Sequence, residues 1–350
     1  MTGSAISLIP NRTDVEIEPA GSQVSLYLSN KIKIIEPLIL ELGVRYDKTS
    51  YTDENLLSPR VNLFYAIDKR TFIRGALGRF NQPQGLNELR VQMGERTFNA
   101  AQLSNHYLLG FEHHFLNGVN LRVEAYYKSN SRKKPDYRQY APPADIEMFP
   151  EMSYENIKVY TDHSIAKGIE VYLKYDTGGA ISFWGSYALS SVEDFINNVE
   201  SAGNVIPVYG NYPGVSDQRH TFYFDLNYRP DKNWHINVAW QFHSGWPYSE
   251  LINSDNMSEE EKYQAAMDNY LQSNYPSYHR LDVRVNRYFD TSIGRISLFV
   301  ELINLYSRDN VRAYDYIFSQ DMLGRERLQK QAVPWLPLLP SIGFSWEYDF

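Results

Sequence analysis

The sequence contains no cysteine, which excludes disulfide frameworks, thiolate metal sites and cysteine nucleophiles. It also lacks any run of about 18 apolar residues that could carry a helix across a bilayer. The opening stretch MTGSAISLIPNRTDVEIEP has no basic start, no apolar stretch and no small-residue cleavage site, so it does not read as a secretory signal. Two expectations follow: a protein that stays inside the cell, or a chain whose true N-terminus lies elsewhere. The spacings of zinc proteases, calcium loops, phosphate loops and nucleophile elbows are all missing. Positive charge is in deficit, with 34 Lys and Arg against 42 Asp and Glu and a formal net charge of -8. Nucleic acid is therefore a poor partner, since phosphate binding needs clustered cations.

What the sequence has in excess is aromatic residues: 28 Tyr, 17 Phe and 6 Trp. Strand proteins use them on their faces, and membrane barrels also use them at two interfacial girdles. The hydrophobic fraction is 43% and the mean hydropathy -0.47, too low for a helical membrane protein but suited to strands with one wet face.

From about Ser22 the chain falls into segments in which apolar and polar positions alternate, the period of a strand with two unlike faces. Leu38, Leu40, Leu42, Val44 and Tyr46 share one face, and Glu41, Gly43, Arg45 and Asp47 the other. The same alternation sets Phe222, Phe224, Leu226 and Tyr228 against Tyr223, Asp225 and Asn227, and Leu281, Val283 and Val285 against Asp282, Arg284 and Asn286. Successive charges on one face would be intolerable in a dry sandwich core but are ordinary on the inner wall of a wet barrel. We expect about 13 strands in one antiparallel meander. In that meander Leu42, Phe224, Trp240, Val283 and Phe344 point to one side, and Arg45, Asp225, Asp282 and Glu347 to the other.

The connections alternate in length. Short turns fall at 35–37, 68–70, 116–118, 176–179, 229–232 and 290–292, rich in Gly, Pro, Asn and Asp. Longer links are expected at about 48–57, 83–102, 130–158, 195–216, 247–276 and 319–338. Short turns on the periplasmic side and long loops outside are the pattern of an outer-membrane barrel, and it puts the C-terminus on the periplasmic side.

Several stretches resemble the C-terminal barrel half of TonB-dependent receptors: LELGVRYD at 40–47, SPRVNLFYAIDKRTFIRGALGRFNQP at 58–83, and KGIEVYLKYDTGGAISFWGSYALS at 167–190. Others are DQRHTFYFDLNYRPDKNWHINVAWQFHSGWPY at 217–248, YHRLDVRVNRYF at 278–289, and ELINLYSRDNV at 301–311. The last is similar to an Asn-Leu-Phe-Asn element of the family, with Tyr306 and Ser307 in place of Phe and Asn. The resemblance implies an all-β transmembrane barrel of about 22 strands in the bacterial cell outer membrane, of which residues 22–350 form the C-terminal portion and residues 1–21 a loop remnant. It implies import of a scarce ligand such as a siderophore, cobalamin, glycan or peptide. It further implies contact with outer-membrane lipid and the barrel-assembly machinery, and with TonB through an N-terminal segment that, like the plug domain, we expect this chain to lack. The rival readings are an autonomous porin-like or 14-strand channel, an adhesion barrel and, last, a soluble enzyme.

Candidate ligand contacts are Tyr209, Tyr212, Trp246 and Tyr248, aromatic residues at the bases of long links that could stack on a ligand, together with Arg219 at a rim. Tyr140, Tyr154 and Trp335 have similar standing. The bland alternative for each is the outer aromatic girdle. Asp217, Arg219 and His220 with nearby Asp225 suggest a catalytic cluster, but at a rim a hydrogen-bonded group of this kind is more often structural. The eight His show no ligand spacing, so no metal site, cofactor or catalytic residue is expected. Ser258 followed by Glu261 and helix formers predicts a short capped helix within a loop. Phe344, Trp346, Tyr348 and Phe350 alternate with polar residues at the C-terminus and resemble a barrel-assembly signal.

Overall fold

Alternation puts every second side chain on one side of an extended backbone, and the chain accordingly runs as one long antiparallel meander. The computed structural model describes residues 20–91, 94–139, 156–201, 204–250, 257–320 and 326–348. Its strands are β1 (Gln23–Ile35), β2 (Leu38–Thr49), β3 (Glu54–Ala66), β4 (Thr71–Gln82), β5 (Gln102–His114), β6 (Val119–Ser131), β7 (Asp136–Gln139), β8 (Asn156–Asp176), β9 (Ile181–Ser201) and β10 (Asn204–Pro213). They continue with β11 (His220–Tyr228), β12 (Trp234–His243), β13 (Pro247–Tyr248), β14 (Ser273–Asn274), β15 (Tyr278–Thr291), β16 (Gly294–Ile303), β17 (Val311–Gln320), β18 (Glu326–Pro334) and β19 (Leu339–Glu347). The single α-helix among the described residues is α1 (Glu259–Asp268).

Thirteen of these strands form the wall, in the order β1-β2-β3-β4-β5-β6-β8-β9-β11-β12-β15-β16-β19. The expected strand number and meander are therefore observed. Registers confirm the two faces: Leu226 pairs with Phe183 and Val238, Val238 with Val283, and Val283 with Leu302. On the other face Asp225 pairs with Trp184 and Ala239, which in turn pairs with Asp282.

Among the described residues no second sheet packs face to face on the wall. Buried apolar side chains such as Leu56, Val159, Ile196 and Met267 lie toward the long-link end, whereas Leu42 is 42% and Phe344 75% exposed. A continuous apolar face of this extent is not stable against water and calls for an apolar environment. Among the described residues the two outermost strands each pair on one side only, β1 with β2 and β19 with β16. Both run from the long-link end to the short-turn end, and no pairing joins them among the described residues, so the sheet is not closed.

Short turns join β1 to β2, β3 to β4, β5 to β6, β8 to β9, β11 to β12 and β15 to β16, all at one end. In the last of these Gly294 has φ +121°, and a side chain there would collide with the carbonyl oxygen of Glu347. The other end departs from expectation in three places. The anticipated link 48–57 shrinks to residues 50–53, because β2 and β3 stay paired to Thr49 and Glu54 and Tyr46 donates a 2.6 Å hydrogen bond to Asn55. The link at 195–216 is largely strand: β9 runs on to Ser201 and folds back onto β10. Between β16 and β19 the chain leaves the wall and returns through a separate hairpin, β17–β18.

Candidate functional site

Two regions bring polar and aromatic side chains together: the charged face of the wall and the clustered links at its long-link end.

On the charged face, short-range pairs satisfy groups that strand alternation forces to one side. Asp225 accepts from Asn227 at 2.5 Å and from Asn237 at 2.9 Å, and Asn227 lies 2.7 Å from the His235 ring. Arg280 donates to Asp282 at 3.0 Å. Arg74 meets Glu112 at 2.6 Å, and Arg45 grips Asp47 through both Nε and Nη at 2.8 Å. Trp184 stacks on Tyr223 at 4.7 Å within the same face. A shallow depression of about 600 Å³ opens over β1 to β6, with Lys31, Glu41, Asn62, Phe64, Arg74 and Glu124 among its lining residues. Such a face is built for a hydrated or polar neighbour, since stripping water from so many charges would cost more than their pairing returns.

At the long-link end, a small apolar core holds the links together. Val159, Ile196 and Val199 from the extensions of β8 and β9 bury against Ala266, Met267, Tyr270 and Leu271. Helix α1 begins where expected: Ser258 accepts from the Glu261 amide at 3.3 Å, and the Glu261 carboxylate accepts from the Ser258 amide at 2.8 Å. These reciprocal bonds satisfy two otherwise orphaned donors.

A second cluster ties the link carrying β13 and β14 to the β17–β18 hairpin. Tyr275 stacks on Tyr314 at 5.3 Å and tilts against Tyr248 at 4.5 Å. The Lys330 ammonium lies 4.1 Å above the Tyr314 ring, contacts the Tyr248 hydroxyl, and pairs with Glu250 at 2.7 Å. Burial pulls the Lys330 ammonium down, but hydrogen bonds to Glu250 and Tyr248 outweigh it and raise the pKa above the ordinary lysine value. The Lys330 hydrogen bond, followed by that from Tyr248, holds the Glu250 carboxyl below its usual range. The approach is close: a side chain at Gly245 would collide with the Tyr275 backbone.

The hairpin is anchored by two buried asparagines that follow β16. Asn304, with φ +57°, donates from Nδ2 to the carbonyls of Arg308 at 3.0 Å and Leu336 at 3.1 Å, and accepts from the Arg308 amide at 3.1 Å. Asn310 accepts from the His279 amide at 3.1 Å and donates to the His279 carbonyl at 3.0 Å.

The sequence candidates scatter. Tyr248 stands in the clasp just described. Tyr212 packs edge-on against Tyr270 at 5.3 Å in the loop core. Tyr209 is 79% exposed with φ +49°. Trp246 tilts against His243 at 4.8 Å, and the exposed Arg219 contributes a backbone carbonyl to Ser190. Trp335 lies 6.0 Å from the Arg312 guanidinium. Tyr140 and Tyr154 fall outside the described residues. The Asp217-to-Asp225 grouping separates: His220 meets Tyr187 at 2.9 Å on the apolar face, Asp217 caps the Val192 amide at 2.7 Å, and Asp225 lies on the charged face. Among the described residues no group of His, Asp or Glu gathers as a metal ligand set. Phe344 and Trp346 share the apolar side of β19, and Tyr348, just past its end, lies 5.3 Å from Trp346; Phe350 lies outside the described residues. Sequence reasoning missed Glu250, Tyr275, Tyr314 and Lys330, which carry no local signal beyond the general excess of Tyr.

A family model described as TonB dependent receptor-like, beta-barrel, matches residues 7–305. Among solved structures, the siderophore receptor PiuA from Acinetobacter baumannii is similar with a TM-score of 0.63 at 13% identity, over 92% of this chain and 42% of that one. The ferripyoverdine receptor of the outer membrane of Pseudomonas aeruginosa matches with a TM-score of 0.59 at 12% identity, over 94% of this chain and 38% of that one. The outer membrane transporter YddB from Escherichia coli matches with a TM-score of 0.58 at 11% identity, over 92% and 44%. The chain thus spans less than half the length of each. No curated protein matches it by sequence.

Proposed function

The chain belongs to the TonB-dependent receptor β-barrel family, and from that premise we propose that it forms part of the wall of an outer-membrane receptor that binds a scarce ligand and passes it inward. The observation that carries this reading is the wall's division into one continuous apolar face and one charged face. On this reading the apolar face meets outer-membrane lipid, the short turns face the periplasm and the long links face outward. The charged face lines the lumen, where a plug domain contributed from outside this chain seats against Arg74, Glu112, Asp225 and their neighbours. TonB acts on a segment that is likewise outside this chain. Phe344, Trp346, Tyr348 and Phe350 form the signal read by the barrel-assembly machinery.

The chain performs no catalysis. Ligand contact falls to the long-link end, where Tyr248 with its partners and the exposed Tyr209, Trp246 and Arg219 offer stacking and cationic groups. The ligand is a siderophore, cobalamin, glycan or peptide. A ferric siderophore comes first for testing, because PiuA and the ferripyoverdine receptor bear such names. The test is to express the intact receptor in cells with and without TonB, fractionate the membranes, and measure uptake of a labelled panel of these four classes. Recovery in the outer membrane with TonB-dependent uptake of one panel member supports the reading; recovery in the soluble fraction overturns it.

A further inference from the structure

Near the short turns the apolar face carries one cation that neither a salt bridge nor the wall's alternation explains. Arg287 sits on that face near the short-turn end, opposite Trp234 on β12 and Leu298 on β16. Its guanidinium lies 4.7 Å from the Trp234 ring and 5.3 Å from the Phe289 ring. Within six residues of the short turns it is the only Lys, Arg, Asp or Glu on the apolar side of the described wall strands, and it makes no ion pair with a described residue. The nearest cationic and acidic groups of the adjoining turns are taken up with one another, Asp290 pairing with Lys232 at 3.2 Å and with Arg295 at 3.5 Å.

Its surroundings describe a ligand. Next to Leu298 stands Phe344, and Trp346 follows two residues along β19. Leu298 is 45% and Phe344 75% exposed, and Val300 and Ile342, two residues further from the short turn on the same two strands, are 47% and 81% exposed, so an open apolar strip runs up the wall from the guanidinium. Phe289 is two residues from the end of β15, which places the cation near the lower edge of the apolar band, where aromatic residues mark the boundary between acyl chains and head groups. An unpaired guanidinium facing hydrocarbon is costly, and its long stem lets it reach the boundary, where a phosphate oxygen offers the planar fork two acceptors.

We propose that Arg287, braced by Trp234 and Phe289, is a seat for the phosphate of a phospholipid head group in the short-turn leaflet, with an acyl chain lying along Leu298 and Phe344. The bound chemistry is a phosphate diester; free inorganic phosphate shares the charge but lacks the chains. The proposal rests on the reading that the apolar face meets lipid.

The experiment uses the intact receptor purified in detergent, titrated with phosphatidylglycerol or with a diacylglycerol of the same chains and observed by native mass spectrometry. One near-surface cation corresponds to about a fivefold preference for the phosphate-bearing lipid. The wild type is expected to show it, R287Q to lose it, and R287K to keep part of it. R79Q, on the same face toward the other end, is expected to keep it. Heat-dependent gel mobility verifies that each variant is a folded barrel. An unchanged preference in R287Q, or displacement of the lipid by millimolar inorganic phosphate, overturns the proposal. Failure of the wild type to form a barrel overturns the receptor reading instead, so the two failures are distinguishable.

Discussion

Replacing Val283 with Arg places a guanidinium on the apolar face close to the middle of the wall. Six residues separate Val283 from Phe289 at the lower aromatic boundary. At about 3.4 Å per residue and a tilt near 40° that is about 16 Å along the barrel axis, within a few ångströms of the middle of an apolar band about 25 Å tall. Val283 has Val238 on one side and Leu302 on the other, so neither neighbouring strand offers a counter-charge. A cation at that depth costs about 2 to 4 kcal/mol, which shifts the folding equilibrium about 25-fold to 700-fold. Leu226, two strands away in the same row, is expected to behave alike. Asn227 is its neighbour on the chain but faces Asn237, Asp225 and His235, and N227R exchanges one polar group for another beside a carboxylate. Equilibrium unfolding of the intact receptor in lipid vesicles, followed by tryptophan fluorescence, measures all three. Equal losses for V283R, L226R and N227R would refute the assigned faces.

Three further outcomes are expected. N304A removes three hydrogen bonds of a buried side chain and puts alanine at φ +57°, which costs about 2 to 4 kcal/mol; hydrogen exchange should quicken at Leu305 and Arg308 but not in β11, and N304G should lose less because it tolerates the backbone. The Glu250 carboxyl is held below its ordinary value, so its pairing with Lys330 is intact above the usual carboxylate pKa of about 4.3 and is lost only as pH falls through the lowered value; protease cleavage within the β17–β18 hairpin should stay constant from neutral pH down to that usual carboxylate pKa and rise only below it. The isolated 350-residue chain should give no reproducible single-channel conductance in planar bilayers, because the outer edges of β1 and β19 leave amide and carbonyl groups unpaired in lipid; a defined conductance would promote the autonomous channel.

The wall was legible because two unlike solvents act on it. A strand with lipid-type burial on one side and charge on the other writes its register into the sequence, and Phe222 to Tyr228 or Leu281 to Asn286 can be read residue by residue. Beyond the wall this contrast ends. The extension of β8 and β9 past Val159 and Ile196 buries side chains against a helix more than 50 residues away in sequence, so its strands were read as links. The excursion after Ile303 depends on Asn304 accepting a left-handed backbone, which asparagine tolerates but does not announce. The clasp joins Tyr248, Tyr275, Tyr314 and Lys330 across two links, and no spacing rule connects them. The candidate aromatics chosen by position at link bases therefore divided: Tyr248 belongs to a cluster, while Tyr212 serves the loop core.

The central claim, that one face of this wall meets lipid and the other water, is tested most directly by exploiting the absence of cysteine from these 350 residues, with any cysteine elsewhere in the receptor replaced by serine. Single cysteines placed in turn at Phe222, Tyr223, Phe224, Asp225, Leu226 and Asn227 of the intact receptor in membranes can be labelled with a water-soluble maleimide and with a lipid-soluble one. The account predicts strict alternation: the lipid-soluble reagent prevails at Phe222, Phe224 and Leu226, and the water-soluble reagent at Tyr223, Asp225 and Asn227. Uniform labelling by the aqueous reagent along the strand, or alternation in the opposite phase, contradicts it.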